Sequence, residues 1–520
     1  MKNLSLPEVY NSHRIRTLEK YKMKLFFIPA FILIFTTNLF CNQDIEKQIL
    51  KGLEACYNFN WDQADQTFQN LIERYPDDPR GYHFESSIYL WYYLGGKEKD
   101  DLDEFEKYSD LALSKGEALV DQNEKNEMAL YILGANYSYR AIAFGKAGNF
   151  LDAAWATKKA ESFLSKVIEL NPQRTDAYLG LGLYNFAVAQ IPPAFKWALN
   201  LVGISGDKDV GVKYIENAAE NGIYSKVEAK YYLAQIEMDF LTDYESSAAI
   251  LKKLVRKYPQ NILFSYSYAV LLIKERRLTD ANSLLNKVIK ANNKQFNQIT
   301  SLSYFLKGDI NFRNNKLDSA KTYYLNFLDN AEDNDYTGIA SYRLAICYES
   351  TSDREDAVKY FEKAQTGNMD LDDDNYAKRK GEIYAKRTLS PSELNLIFYS
   401  NMIEAGRYKT AYDSITDLIP TIVSPKIKAE ALLYKSEAAY YMGNYQESID
   451  LAQDALSLDP SNEKWIVPFS YYYIARADKK LGNPEEAKSN SEKASEENNY
   501  DYQNKLKNLL YPFQEDSLKN

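Results

Sequence analysis

The sequence predicts an all-α fold, a right-handed superhelical solenoid of about eleven helix pairs, on three observations. The first is a spacing: a small residue, a second one twelve positions later, then bulky apolar residues four and seven positions beyond that. It reads Gly52, Ala64, Phe68, Leu71, with Pro76 closing the unit. It returns as Ala269, Ala281, Leu285, Val288; as Gly308, Ala320, Tyr324, Phe327; as Ala345, Ala357, Phe361, Ala364; and as Ser436, Ser448, Ala452, Ala455, Pro460. The second is that 520 residues run without a Pro/Gly/Ser-rich linker, and most of the 15 Pro stand at unit ends, so one extended array is expected. The third is 44 Tyr, side chains that fill irregular space between helices while one edge stays wet.

The spacing has a packing cause. Two antiparallel helices that meet at about 8–10 Å need small residues at the contact. The bulky pair lies on one stripe of the second helix, because residues three and four apart share a face, and that stripe seals the next unit. A period near 34 residues with this pattern resembles the tetratricopeptide repeat.

In chain order, residues 1–41 read as a leader. From Met23 the text MKLFFIPAFILIFTTNLFCNQ has one Lys, an apolar core Leu25–Phe35 and a short polar end, the form of a secretory signal. The polar stretch before it makes Met23 a second candidate start. Cys41 is a candidate lipidation site, although Phe40 stands where a small residue is normally required. An exported protein, periplasmic or extracellular, is therefore expected, with a membrane-anchored lipoprotein as the alternative. Residues 42–366 read as an N-terminal array of about eight units, the fourth (174–222) atypical. Residues 367–390 read as an irregular acidic connector with a short helix around 376–387. Residues 391–520 read as three more units and a capping helix around YQNKLKNLLYPF, needed because an open solenoid end exposes apolar surface.

The fourth unit, DAYLGLGLYNFAVAQIPPAFKWALNLVGISGDKDVGVKYIENAAENG, resembles a diagnostic stretch of the inclusion-body clearance (tetratricopeptide repeat protein 39-like) family. Gly182, Leu183, Pro192, Pro193, Gly203, Ser205, Gly206, Asp207, Lys208 and Gly211 carry the resemblance. It implies a repeat fold with a scaffold or lipid-associated role, and no catalytic residues. The leader sets this chain apart from the intracellular members. Read on its own chemistry, Pro192 and Pro193 end a helix, and Asp207 suits the N-cap of the next. The apolar AFKWALNLVGI is expected as a plug between units, with Phe195, Trp197 and Leu201 as the alternative contacts to lipid or a partner.

Composition narrows the function. The net charge is −10. Residues 1–41 hold 6 Lys/Arg and 2 Asp/Glu, so the remainder carries 57 basic against 71 acidic groups, net −14, which argues against nucleic acid as a partner. Of two His, only His83 lies outside the leader, so a Ser-His-Asp or Cys-His site has one residue to build on. No Cys-x-x-Cys pair offers a zinc framework. Asp370, Asp372 and Asp374 begin like a calcium loop, but Asn375 and Gly381 replace its glycine and closing Glu, so a solvated acidic loop is expected. Cys56 and Cys347 read as small buried helix residues. No catalytic residue, metal or cofactor is expected.

Binding is then the default use of the inner helix face. Its candidate lining is Tyr131, Tyr139, Tyr266, Phe305, Arg313, Tyr342, Arg343, Tyr472 and Arg476. The Asn that a clamp for chaperone tails requires is replaced by Leu53, Ala135, Val270, Asp309, Ile346, Glu437 and Arg476. The expected function is a non-catalytic envelope scaffold holding proteins or extended peptides, with possible membrane association. A surface-anchored glycan-binding lipoprotein of an outer-membrane uptake system is the alternative.

Overall fold

A computed structural model describes residues 42–515 apart from 192–202, 332, 459, 461 and 462. Among the described residues the regular elements are helical and none is a strand. They pair along the chain: α1 (42–57) with α2 (Trp61–Arg74), α3 (Pro79–Gly96) with α4 (Lys99–Gln122), α5 (Glu127–Lys146) with α6 (Phe150–Leu170), and α7 (Ala177–Ala189) with α8 (Lys208–Asn221). Next come α9 (Lys226–Ile236) with α10 (Tyr244–Lys257), α11 (Ile262–Lys274) with α12 (Leu278–Ala291), α13 (Asn297–Arg313) with α14 (Leu317–Asn330), and α15 (Thr337–Glu349) with α16 (Arg354–Lys363). A single helix, α17 (Asp372–Tyr384), precedes α18 (Pro391–Glu404) with α19 (Tyr408–Leu418), α20 (Pro425–Tyr441) with α21 (Tyr445–Leu456), and α22 (Ile466–Leu481) with α23 (Pro484–Glu496). The short α24 (Gln503–Leu509) and α25 (Tyr511–Glu515) close the chain. These are eleven tetratricopeptide-type pairs, and the molecule is an all-α solenoid of them.

The small residues sit where close packing needs them. A Cβ on Gly52 would lie 2.2 Å from the Phe68 ring, and one on Gly308 would lie 2.5 Å from the Tyr324 ring. Ala269, Ala281, Leu285, Val288, Ala345 and Ala357 are fully buried. In the atypical unit the approach is closer still: Cβ atoms on Gly182 and Gly211 would lie 2.8 and 2.9 Å from each other's carbonyl oxygens. The glycines of the family-like stretch therefore let α7 and α8 meet backbone against backbone. Asp207 caps α8, its Oδ1 accepting from the Val210 N–H at 2.9 Å. Helix α18 starts on a capping box, Ser390 with Glu393, followed by Pro391.

One expectation needs correcting: the array is not simply extended, because the superhelix closes on itself. Helix α1 packs against the loop after α10, where the Tyr258 hydroxyl donates to Glu54 at 3.1 Å and Asn261 Nδ2 donates to the Tyr57 carbonyl at 3.0 Å. Phe59 and Trp61 meet Phe296 at ring-centre distances of 4.9 and 5.7 Å, and Lys97 pairs with Asp333. Farther on, Asn401 Nδ2 donates to the Phe312 carbonyl at 3.0 Å, and Arg276 bridges Glu404 at 3.1 Å and Glu437 at 2.5 Å. Buried aromatic rings thus join units far apart in sequence, a contact that repeat spacing does not encode.

The acidic connector also differs from its expectation. Asp374 is fully buried: its Oδ1 accepts from Ile339 N–H at 2.7 Å and its Oδ2 from Asn368 N–H at 2.9 Å. A carboxylate placed to take backbone donors is a structural anchor, whereas a solvated loop would leave those donors to water. Cys56 and Cys347 are buried and free, with burial pushing the Cys347 thiol up to about 12.

Candidate functional site: the inner face

The first helix of each pair turns one side inward, and closure of the superhelix brings those sides together. Three clusters result. In the first, Asp309 accepts from the Tyr324 hydroxyl at 2.8 Å and pairs with Arg343, while Arg313 reaches Glu404 at 2.9 Å. Burial pushes the Glu404 carboxyl up, but Arg276 and Arg313 outweigh it and hold it at about 2. In the second, the Arg476 guanidinium lies 4.1 Å from the Tyr440 ring centre and 5.4 Å from that of Tyr472, and donates to the Tyr441 hydroxyl at 3.2 Å. In the third, buried Glu463 pairs with Arg379 at 2.7 Å, Lys380 at 2.8 Å and Lys426 at 3.1 Å. Acids at clamp positions, Asp309 and Glu437, are thus neutralised by this chain's own arginines.

The C-terminal segment lies against these walls. Leu506, Leu510 and Phe513 pack on the last unit. The other side of the segment reaches distant units. Asp501 pairs with Arg379 at 2.5 Å, Tyr502 meets Tyr376 at 5.2 Å, and Asp372 accepts from the Lys505 N–H at 2.9 Å. Asn508 Nδ2 donates to the Asp239 carbonyl at 2.9 Å, beside the π-helical turn Glu237–Leu241 that ends α9.

The structure distributes the sequence-derived lining unevenly. Arg313 and Arg343 meet through Asp309. Tyr472 and Arg476 share a cluster, and Tyr131 and Tyr139 line one cavity with Glu228. Tyr266 is half-buried. Tyr131, Phe305, Tyr342 and Tyr472 are 5–6% exposed; Phe305, for one, packs on Phe327 and Tyr336. Cys41, Phe195, Trp197 and Leu201 lie outside the described residues. Sequence reasoning passed over Arg276, Glu228, Glu404 and Glu463, and read the C-terminal segment as a cap without its contacts to distant units. The signal for the acids was available: charged residues at helix positions flanked by apolar and aromatic ones, as Glu228 is in EAKYYLAQI.

It also passed over an outer patch. Phe150, Leu151 and Trp155 are 74, 88 and 54% exposed at the tip of the long α5–α6 hairpin, and Lys158 Nζ reaches the Gly203 carbonyl at 3.4 Å, at the edge of the Pro-Pro segment. Among the described residues no helix is long and apolar enough to cross a membrane.

Fold and repeat together define the class: this chain is a tetratricopeptide-repeat protein, with repeat models matching residues 55–78 and 429–462. Residues 171–415 match the family described as Iml2/Tetratricopeptide repeat protein 39, which the chain resembles across units four to nine. No curated protein matches the sequence. Solved structures similar to it include yeast Tom70, at 15% identity over 92% of this chain and 97% of that one, TM-score 0.26. The P58(IPK) TPR domain is similar at 18% identity over 79% and 95%, TM-score 0.20. A tetratricopeptide repeat protein from Parabacteroides merdae is similar at 15% identity over 55% and 98%, TM-score 0.25. The repeat pattern, not superposition, carries the assignment.

Proposed function

We propose that the protein is a non-catalytic envelope scaffold that holds a protein or extended peptide on its inner face. The observation that carries this reading is the C-terminal segment itself. An aromatic residue beside an acid, Asp501-Tyr502, followed by a short helix, already satisfies Arg379, Tyr376 and Asp372, so these walls have the chemistry to hold a peptide. His83, the one histidine of the body, is buried, and burial lowers it to about 3. It stays neutral at ordinary pH, stacked on Tyr139 at 5.1 Å, in a packing role rather than that of a general base.

The address rests on residues 23–41, and export is the reading proposed for them. The N-terminal peptide of the mature protein is expected to lack Leu25–Phe35; its presence would remove cleavage after export. Lipid contact is proposed for Phe150, Leu151 and Trp155, because exposed apolar groups clustered at one edge mark interaction surfaces, and for Phe195, Trp197 and Leu201 on the apolar character of their sequence alone. No feature of the described residues favours the glycan-binding alternative.

Residues 42–520 are expected to capture proteins from an envelope extract, and an excess of a synthetic peptide spanning 499–515 is expected to release them. Captured proteins that the peptide leaves in place and that cross-link only to outer helices would overturn the inner-face reading.

A further inference from the structure

A cavity between α3, α5, α7 and α9 holds two of the sequence-derived lining residues, Tyr131 and Tyr139, apart from the walls that take the C-terminal segment. Phe84, Tyr131, Tyr139 and Tyr224 form much of its wall, with water-accessible space of ≈ 40 Å³ at its centre, and half-buried Ser138, Ile142 and Leu183 stand at its edge. Two carboxyl groups reach it. Asp176 is 3% exposed; its Oδ1 accepts from the N–H groups of Ile223, Tyr224 and Ser225 at 2.8, 2.8 and 2.9 Å and from the Ser225 hydroxyl at 2.9 Å. Its Oδ2 is buried with no hydrogen-bond partner in the protein. Glu228 is 7% exposed, and its Oε2 accepts from the Tyr139 hydroxyl at 2.8 Å. A buried carboxylate needs a counter-charge or several donors. Neither this cavity nor the one on the other side of Glu228, walled by Trp91, Tyr231 and Phe264, includes a Lys or Arg among its described lining. Arg174, whose guanidinium lies 5.4 Å from the Tyr131 ring centre, is committed to Glu127 at 2.5 Å.

We propose that this cavity binds a small organic ammonium ion, with the aromatic rings as a cage and the Glu228 and Asp176 carboxylates as its counter-charge. Aromatic faces attract a cation held within about 6 Å, most strongly when it is desolvated. The acids give the charge balance that the lining otherwise lacks.

Binding follows pH. Burial pushes the Glu228 carboxyl up to about 7, so affinity for the cation is expected to rise from about pH 6 to about pH 8 as that carboxyl ionises. The Asp176 carboxylate shares the cavity with it, and the tyrosine and histidine groups facing it do not titrate in that window. They are Tyr57 from α1, His83 from α3, Tyr131 and Tyr139 from α5, and Tyr232 on α9; burial holds the imidazole neutral and the hydroxyls protonated.

Calorimetric titration of residues 42–520 with methylammonium and with ethylammonium, which are small enough for this space, tests the proposal, the neutral isostere ethanol serving as control. Saturable one-site binding of both cations is expected, with the isostere and the Glu228→Gln variant each at least about tenfold weaker. Glu228→Gln keeps the shape of a side chain that is already half protonated near neutral pH, so it is expected to fold; circular dichroism and melting establish that. Asp176→Asn retains an acceptor for the three N–H groups and is expected to weaken binding as well. Absence of saturable cation binding by the parent protein overturns the proposal. So does an isostere that binds equally well, or unchanged affinity in a folded Glu228→Gln variant.

Discussion

Glu463→Gln is expected to cost about 3–5 kcal/mol, the range found when one partner of a buried ion pair is removed and the other is stranded. Glu463 is 1% exposed and Lys380 5% exposed, and they meet at 2.8 Å. Burial pushes the Glu463 carboxyl up, yet Lys380 and Arg379 outweigh it and hold it well below the usual carboxylate range. The same carboxylate accepts from Trp465 Nε1 at 3.0 Å and pairs with Lys426, so one side chain ties α17 to the start of α20 and α22. Because solenoid stability is largely a nearest-neighbour sum, hydrogen-exchange protection should fall first in α17 and α22 and last in α3–α6. Replacing both Lys380 by Met and Glu463 by Leu should recover only part of the loss, since it removes the stranded Lys380 but still leaves Arg379, Lys426 and Trp465 Nε1 without the Glu463 carboxylate. A single variant that melts with the parent protein would show that the cluster is solvated and contributes little.

That cluster also shows where the sequence stops being informative. The spacing of Gly52, Ala64, Phe68 and Leu71 was legible because it reports contacts within one unit and its neighbour, and those residues are buried or pressed against buried rings in the structure. Closure of the superhelix was not legible. Phe59, Trp61 and Phe296 are ordinary aromatic residues of their own units, and only the accumulated rotation of several units brings them within 6 Å of one another. The candidate lining suffered from the same gap. Positions beside the small helix residue face an open groove only in a loosely coiled array. Here the coiling seals Tyr131, Phe305, Tyr342 and Tyr472 to 5–6% exposure and leaves Arg313, Arg343 and Arg476 facing partners from other units. The calcium-like run was discounted as a cation site from its missing glycine and Glu. Its use as a backbone anchor through Asp374 required knowing that Ile339 and Asn368 stand beside it.

A Glu85→Gln/Glu228→Gln/Glu237→Gln triple change is expected to raise the melting temperature at alkaline pH while leaving it nearly unchanged below about pH 5. All three carboxyls are buried: Glu85 fully, Glu228 7% exposed and Glu237 9% exposed, and the Oε2 atoms of Glu85 and Glu237 have no hydrogen-bond partner in the protein. Burial pushes the three up to about 8, 7 and 8 from an ordinary 4.5. The sign follows from proton counting. Between 4.5 and these raised values the folded chain keeps protons that the unfolded chain has released, so stability falls as pH rises through that window. Glutamine has no proton to lose, and the alkaline fall should flatten. Every tenfold weakening of a carboxyl's acidity on folding is worth about 1.4 kcal/mol, so the three together set a ceiling on the order of 10 kcal/mol at alkaline pH, reduced wherever a helix pair opens locally to hydrate its acid. On the acid side the slope is opposite. Glu393 and Glu404 are held at about 2 by arginines and hydrogen bonds despite burial, and the stability they contribute is present above the ordinary carboxylate range and lost as pH falls toward 2. Melting curves at about pH 5, 7 and 9, taken in buffers without organic amines so that the α3–α9 cavity is not loaded, separate the two contributions. Parallel profiles for parent and triple variant would mean that the three acids are hydrated in the folded protein and carry no strain, whereas a gap that opens only above pH 5 places the alkaline limit of this solenoid in its buried carboxyls.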